Sequence, residues 1–232
     1  MSSSTSLSAL IRKIDDITVS TVESTVALAR SIHEAIASVQ KGSAEVVLDP
    51  TVRAIVQQHI KHTLNHNHYC SGAGFASHIE NTPTRKEYWL LEWWYKKDNG
   101  VSQAHLDLDQ ATQQRLDFRT FEWFKHSPPA GEAYIHGPYV DYICNISYTL
   151  TSAVPVYYHD QFLGVAAVDL LVSQIEAELL SCPQPDYVIL TNLENRIIFS
   201  SWPRYRVGEL LSPTNTRIVY QSDYFILYHY QH

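Results

Sequence analysis

The sequence predicts an α+β chain: one long N-terminal helix, then an antiparallel sheet with flanking helices, then a small second β lobe. Three observations predict it. Residues 5–41 keep apolar side chains at three-to-four spacing, through Leu10, Ile14, Ile17, Val22, Val26, Ala29, Ile32 and Ile36, with no Pro and no Gly before Gly42. From Tyr88 the pattern changes to short runs rich in aromatic and β-branched residues, the composition of strands. Pro, Gly and Asn then punctuate the chain at short intervals. These signals divide it into a helix over 1–46, a central unit over 47–182 and a lobe over 183–232.

A helix of this length spans roughly 50 Å at about 1.5 Å per residue. That is more than a small domain covers alone, so part of the helix is expected to pack on a second copy, making a homodimer. Asp49-Pro50 reads as the next helix start, because an Asp side chain accepts first-turn N–H groups and Pro suits the first helical position. That helix is expected to reach Leu64. The Gly-bearing segment 71–75 reads as a turn. Tyr88–Tyr95 reads as a strand closing at Asp98-Asn99-Gly100, and 107–131 as short helices and loops around Pro128-Pro129. Tyr142–Tyr158 and Phe162–Asp169 read as two strands joined near His159-Asp160. A helix over Leu171–Leu180 ends before Cys182-Pro183-Gln184-Pro185. Short strands over 187–191, 196–200, 217–220 and 223–230 close the chain.

Composition removes several functions. Lys+Arg is 17 against Asp+Glu 24, a net charge of −7, so the basic excess of a nucleic-acid binder is missing. With 45% hydrophobic and 12% aromatic residues the chain is not disordered. Only 8 residues are Gly, and neither G-x-G-x-x-G nor the phosphate-cradling G-x-x-x-x-G-K-[ST] occurs. No run of 18 apolar residues predicts a membrane span. The first residues lack the basic-then-apolar order of a secretory signal. Cys70, Cys144 and Cys182 form no C-x-x-C, so reduced thiols and a cytoplasmic location are expected.

Candidate chemistry is sparse. His59, His62 and His66, with His68 just beyond, share one helix face at i, i+3, i+7 spacing, but no H-E-x-x-H or nearby carboxylate completes a metal site. They read as a solvated face, and no metal or cofactor is expected. No G-x-S-x-G elbow occurs, and Asp107 and Asp109 read as a solvated loop. The aromatic distribution says more. Residues 88–158 hold 15 aromatic residues, including four of the 5 Trp. Acids stand beside them: Glu92 before Trp93-Trp94, Glu122 before Trp123, Asp141 after Tyr139, and Asp169 ending an apolar strand. Rings and carboxylates together suit an organic cation. The π faces attract the charge, and the carboxylates accept charge-assisted hydrogen bonds.

At these residues the chain resembles the Cache sensor domains of bacterial chemoreceptors and sensor kinases. The resemblance rests on an ordered set: Asp117-Phe-Arg-Thr-Phe-Glu-Trp-Phe124, Gly137-Pro-Tyr-Val-Asp141, Thr149-Leu-Thr-Ser-Ala-Val-Pro-Val156 and Phe162-Leu-Gly-Val-Ala-Ala-Val-Asp-Leu170. It implies a PAS-like sheet. The tail from Tyr187 resembles a shortened second module of a double Cache. In the amino-acid-binding branch an Arg holds the ligand carboxylate, while a Tyr-x-Asp and a strand-end Asp hold the ammonium. Carried over, Trp123, Phe124, Tyr139, Asp141 and Asp169 fall on binding positions, and Arg119 on a structural one. Phe121 replaces the carboxylate-binding Arg, and Glu122 replaces a Pro. Phe121, Glu122 and Trp94 are secondary candidates for the pocket.

A site without that cation loses bidentate carboxylate recognition. The expected ligand is therefore an amine without a carboxylate: a biogenic amine, a polyamine or a quaternary ammonium. The expectation is a non-enzymatic, stand-alone sensor that signals to a separate protein. The alternatives are an amino-acid sensor, an amine-processing enzyme using Asp141 or Asp169 as base, and a scaffold whose aromatic block is a protein interface.

Overall fold

The computed structural model describes residues 3–39, 44–80, 87–97, 100–104, 117–126, 131–142, 146–183 and 187–230. Asp98-Asn99, Asp107, Asp109, Pro128-Pro129, Cys144 and Pro185 lie outside the described residues, as does Gly42.

Helix α1 runs Ser3–Ala37. The two halves of its apolar face enter two cores. Leu10, Ile14 and Ile17 pack among residues of the C-terminal sheet such as Leu190, Ile198 and Leu227. Leu28, Ile32 and Ile36 pack with Phe75, Val154 and Val168 of the central sheet. Between them Thr18, Thr21 and Thr25 are buried with their hydroxyls donating to the carbonyl four residues back, so no donor is stranded. The chain itself thus covers the inward face of α1 from end to end. Its length no longer calls for a second copy.

A 3-10 turn over Ala44–Leu48 leads into α2, Pro50–His66. Asp49 caps it by accepting from the Thr51 N–H, and Pro50 opens it, as the sequence predicts. Six strands follow: β1 Gly72–Glu80, β2 Glu87–Lys97, β3 Gly100–Gln103, β4 Tyr134–Asp141, β5 Ser147–Tyr158 and β6 Gln161–Leu171. They form one antiparallel sheet in the order β3-β2-β1-β6-β5-β4. A 3-10 turn, Phe118–Thr120, and a short helix α3, Glu122–Lys125, lie between β3 and β4 in sequence. Helix α4 spans Val172–Leu180. A second antiparallel sheet holds β7 Val188–Asn192, β8 Ile197–Ser200, β9 Thr216–Gln221 and β10 Phe225–Tyr230, in the order β8-β7-β10-β9.

The architecture is the α+β one expected, with three local corrections. Residues 71–75 are not a turn: from Gly72 they open β1, which pairs with both β2 and β6. Residues 134–141 are a strand of their own, and β5 starts at Ser147 instead of Tyr142. Within β4, Gly137-Pro138 falls at an irregularity in register between His136 and Tyr139. Gly100 starts a further short strand, β3, beyond the predicted turn.

The two faces of the central sheet do different work. Alternation along β1, β2 and β6 sends Ala73, Phe75, Trp94 and Val168 toward α1 and α2. The opposite set, Ala76, Trp93, Val165 and Ala167, packs with Phe118, Trp123 and Phe124 of the connecting segment. The candidate site lies on this second face.

Candidate functional site

Leu91, Trp93, Phe118, Phe121, Trp123, Tyr139, Asp141 and Asp169 line a cavity whose space free of protein atoms, open solvent included, is about 290 Å³. The central sheet forms its floor. The segment over 117–125 forms its roof. That roof is pinned at its outer edge: Arg119 bridges Asp117 and Glu87 and lies with its guanidinium 4.1 Å from the centroid of the Trp89 ring. The Asp117 pair holds the Arg119 pKa up, and Arg119 holds that of Asp117 down. Phe118 and Phe124 meet edge to face at 5.1 Å, and Phe124 continues onto Phe162 at 5.8 Å, which ties the roof to β6.

Five of the sequence-predicted residues meet at the cavity: Phe121, Trp123, Tyr139, Asp141 and Asp169. Three stand elsewhere. Phe124 is buried behind the lining as part of the aromatic roof. Glu122 is solvent-exposed and faces Lys125 at 3.8 Å. Trp94 points to the other face of the sheet, where Lys61 Nζ sits 5.3 Å from its ring centroid. Its neighbour Glu92 shares that face and pairs with Arg53 and Gln57 of α2. It is Trp93 that enters the cavity. Leu91, on the same face of β2, and Phe118 complete the lining that sequence reasoning missed.

Gly72 and Gly74, two residues apart, present bare Cα atoms to this face. A Cβ on Gly74 would lie 2.3 Å from Trp93 Cε3, so the indole ring occupies that space. A Cβ on Gly72 would lie 3.2 Å from both Trp93 Nε1 and Asp169 Oδ2. The glycine pair seats the ring and opens a gap between an indole N–H and a carboxylate. Such an i, i+2 pair of glycines beside strand-forming residues is the signal that could have found Trp93.

Both carboxylates are deeply buried, Asp141 at 3% exposure and Asp169 at 3%. Asp169 stands opposite Thr151 in the β5–β6 register, and the Thr151 hydroxyl donates to its Oδ1 at 2.7 Å. That hydroxyl has one hydrogen, so the Tyr139 hydroxyl, 2.8 Å away, donates to Thr151. Burial first, and the Asp141 charge second, push the Asp169 carboxyl well above the usual carboxylate range, against the pull of the Thr151 hydrogen bond. Among the described residues no Arg or Lys lines the cavity. The Nε1 atoms of Trp93 and Trp123 are buried without a hydrogen-bond partner. The arrangement is an aromatic, carboxyl-bearing recess with donors and acceptors turned inward.

The His residues of α2 do not gather into a centre. His62 and His66 stack ring on ring at 3.8 Å on an exposed face, and His66 Nδ1 lies 2.9 Å from the His62 carbonyl. Among the described residues no three His, Cys, Asp or Glu side chains group as metal ligands. Among the described residues no helix is long and apolar enough to cross a membrane.

Comparison with known proteins adds a family and a fold. The family profile of the methyl-accepting chemotaxis protein-like, first PDC sensor domain matches residues 56–177. Among solved structures the chain is similar to Methyl-accepting Chemotaxis protein X, at 15% identity and a TM-score of 0.56, covering 92% of this chain and 95% of that one. It is similar to the extracellular domain of the histidine kinase mmHK1S-Z3, at 13% identity and a TM-score of 0.51, covering 79% and 68%. It also matches the ligand-binding domain of the Campylobacter jejuni chemoreceptor Tlp3 in complex with L-norvaline, at 17% identity and a TM-score of 0.45, covering 85% and 71%. Comparison with curated proteins returns no match.

Proposed function

For a chain that belongs to the methyl-accepting chemotaxis protein-like, first PDC sensor domain family, we propose that the cavity on the second face of the central sheet binds an organic amine that has no carboxylate. The observation that carries this is the pair of buried carboxylates, Asp141 and Asp169, among Trp93, Trp123 and Tyr139, with no cationic side chain among the described lining residues. An ammonium supplies the missing positive charge. It donates hydrogen bonds to carboxylate oxygens and sits against π faces. An α-amino acid would add a further carboxylate to a recess that already holds Asp141 and Asp169 and no described cation.

The protein's role in this reading is sensing without chemistry. Ligand occupancy would be felt at α1 through β5. Thr151 touches Asp169 on the cavity face, and on the other face the hydroxyl of the next residue, Ser152, lies 2.9 Å from that of Thr25 of α1, to which it donates because the Thr25 hydrogen goes to the Thr21 carbonyl. A ligand that binds one arrangement of this strand better than another shifts the population of the two, which a separate signalling protein could read.

The test is a thermal-shift and calorimetric screen of matched pairs, each an amine and the α-amino acid from which it would derive by loss of the carboxyl group. The amines are expected to stabilise the fold and bind, their amino acids less or not at all. Better stabilisation by the amino acids overturns the ligand class. Mass spectrometry after prolonged incubation is expected to recover the amine unchanged, and a converted product would make the protein an enzyme.

A further inference from the structure

The two indole N–H groups play no part in holding an ammonium, since a cation offers them no acceptor. Trp93 is the more informative. It is 4% exposed, and its Nε1 has no hydrogen-bond partner. A buried indole N–H ordinarily finds an acceptor, and one left without it destabilises the fold. Packing fixes the ring where it is. Gly74 leaves the space that Cε3 fills, and Trp123 meets the ring at a centroid distance of 6.0 Å. Nε1 and Asp169 Oδ2 lie on either side of the gap over Gly72. Each is 3.2 Å from the point where a Cβ would stand, so they are no more than twice that distance apart. Oδ1 is occupied by Thr151, which leaves Oδ2 as the oxygen facing Trp93.

We propose that the ligand of this cavity carries, a few bonds from its ammonium, a neutral hydrogen-bond acceptor that the Trp93 indole N–H holds, which makes the ligand an amino alcohol or amino ether and Trp93 a specificity-determining residue. This rests on the amine reading of the same cavity and narrows it. Two polar groups about 3 Å apart on one small molecule can each reach a protein partner at about 3 Å. A vicinal spacing fits the gap between Oδ2 and Nε1, which are no more than twice 3.2 Å apart. A carboxylate is a poor choice for the acceptor, because its charge would face Asp141 and Asp169 with no described cation to offset it. A hydroxyl or ether oxygen accepts the N–H without bringing charge. Glycine at 72 has a reason here as well: a side chain would occupy the gap that the ligand bridges.

Matched ligands on the full chain test it. Calorimetry compares a simple alkylamine with the amine of the same carbon skeleton bearing a hydroxyl on the adjacent carbon, for the wild type and for Trp93→Phe, which keeps a ring and removes the donor. In the wild type the hydroxylated amine is expected to bind about tenfold tighter. In Trp93→Phe the ratio of the two affinities is expected to fall to about one. A second readout needs no variant: in the indole-nitrogen region of a ¹⁵N-labelled spectrum, the Trp93 N–H should shift with the hydroxylated amine and much less with the alkylamine. Equal binding of both amines by the wild type leaves the amine reading standing and overturns this one. A preference that survives in Trp93→Phe, with no shift of the Trp93 signal, also overturns it. Binding of neither amine overturns both readings together.

Discussion

Asp169→Asn separates what the site does for the ligand from what it does to the fold. In the unliganded protein the Asp169 carboxyl is raised well above its ordinary range, first by burial and then by Asp141. The sign follows from linkage. Between the unfolded carboxyl pKa, about 3.9, and the raised folded value, the folded state keeps a proton that the unfolded state has lost. Stability is then full below about pH 3.9 and falls as pH rises through the folded pKa. Asparagine cannot ionise, and its side-chain oxygen still accepts from Thr151. The variant should lack this fall and be more stable than the wild type at neutral pH. A gain of about 1 kcal/mol, the low end for relieving an unsatisfied buried polar group, reads as roughly 2–4 °C in Tm for a chain of this length.

Ligand binding should move the other way. Removing the carboxylate costs a charge-assisted hydrogen bond of about 1.5–3 kcal/mol, a loss of roughly tenfold to a hundredfold in amine affinity. For the wild type, binding an ammonium should release a proton from Asp169, so affinity should rise with pH until the carboxyl is fully ionised. Thermal shift from pH 5 to 8 with and without amine, and calorimetry in two buffers of different ionisation enthalpy, read these effects. A variant less stable at neutral pH that binds amines as the wild type does would refute the placement of Asp169 as the ammonium acceptor.

Two further outcomes follow from the packing. Gly74→Ala would set a Cβ 2.3 Å from Trp93 Cε3 and 2.5 Å from the Glu92 carbonyl. It should destabilise by about 1–3 kcal/mol, seen as a lower Tm and altered Trp fluorescence, and an unchanged Tm would mean that the ring is not seated there. The Cys70 thiol is buried, and burial pushes its pKa up to about 12, so Cys70 should resist alkylation in the native protein at pH 8 and react once unfolded. Peptide mapping by mass spectrometry checks this, and native labelling at Cys70 comparable with that at the half-buried Cys182 would contradict it.

The long elements were legible because one local signal decides each of them. Heptad-like spacing without breakers makes α1, and Asp49-Pro50 starts α2 whatever lies around it. The misreadings share one physical cause: residues whose local preference points to a turn but whose role is set by a neighbour across the sheet. Gly72 and Gly74 are poor strand formers alone, yet β1 needs them because Trp93 lies over their Cα atoms. The site was partly legible for the same reason in reverse. Asp169 stood out because a carboxylate inside an apolar strand needs a partner, wherever that partner is. Which of Glu92, Trp93 and Trp94 face the cavity was not legible, because strand alternation gives relative parity only. The anchor of that parity is the contact of Glu92 with Arg53 on α2. With Trp94 packed in the same buried cluster as Val52 and Val56 of α2, it keeps this side of β2 toward the helices and Trp93 toward the cavity.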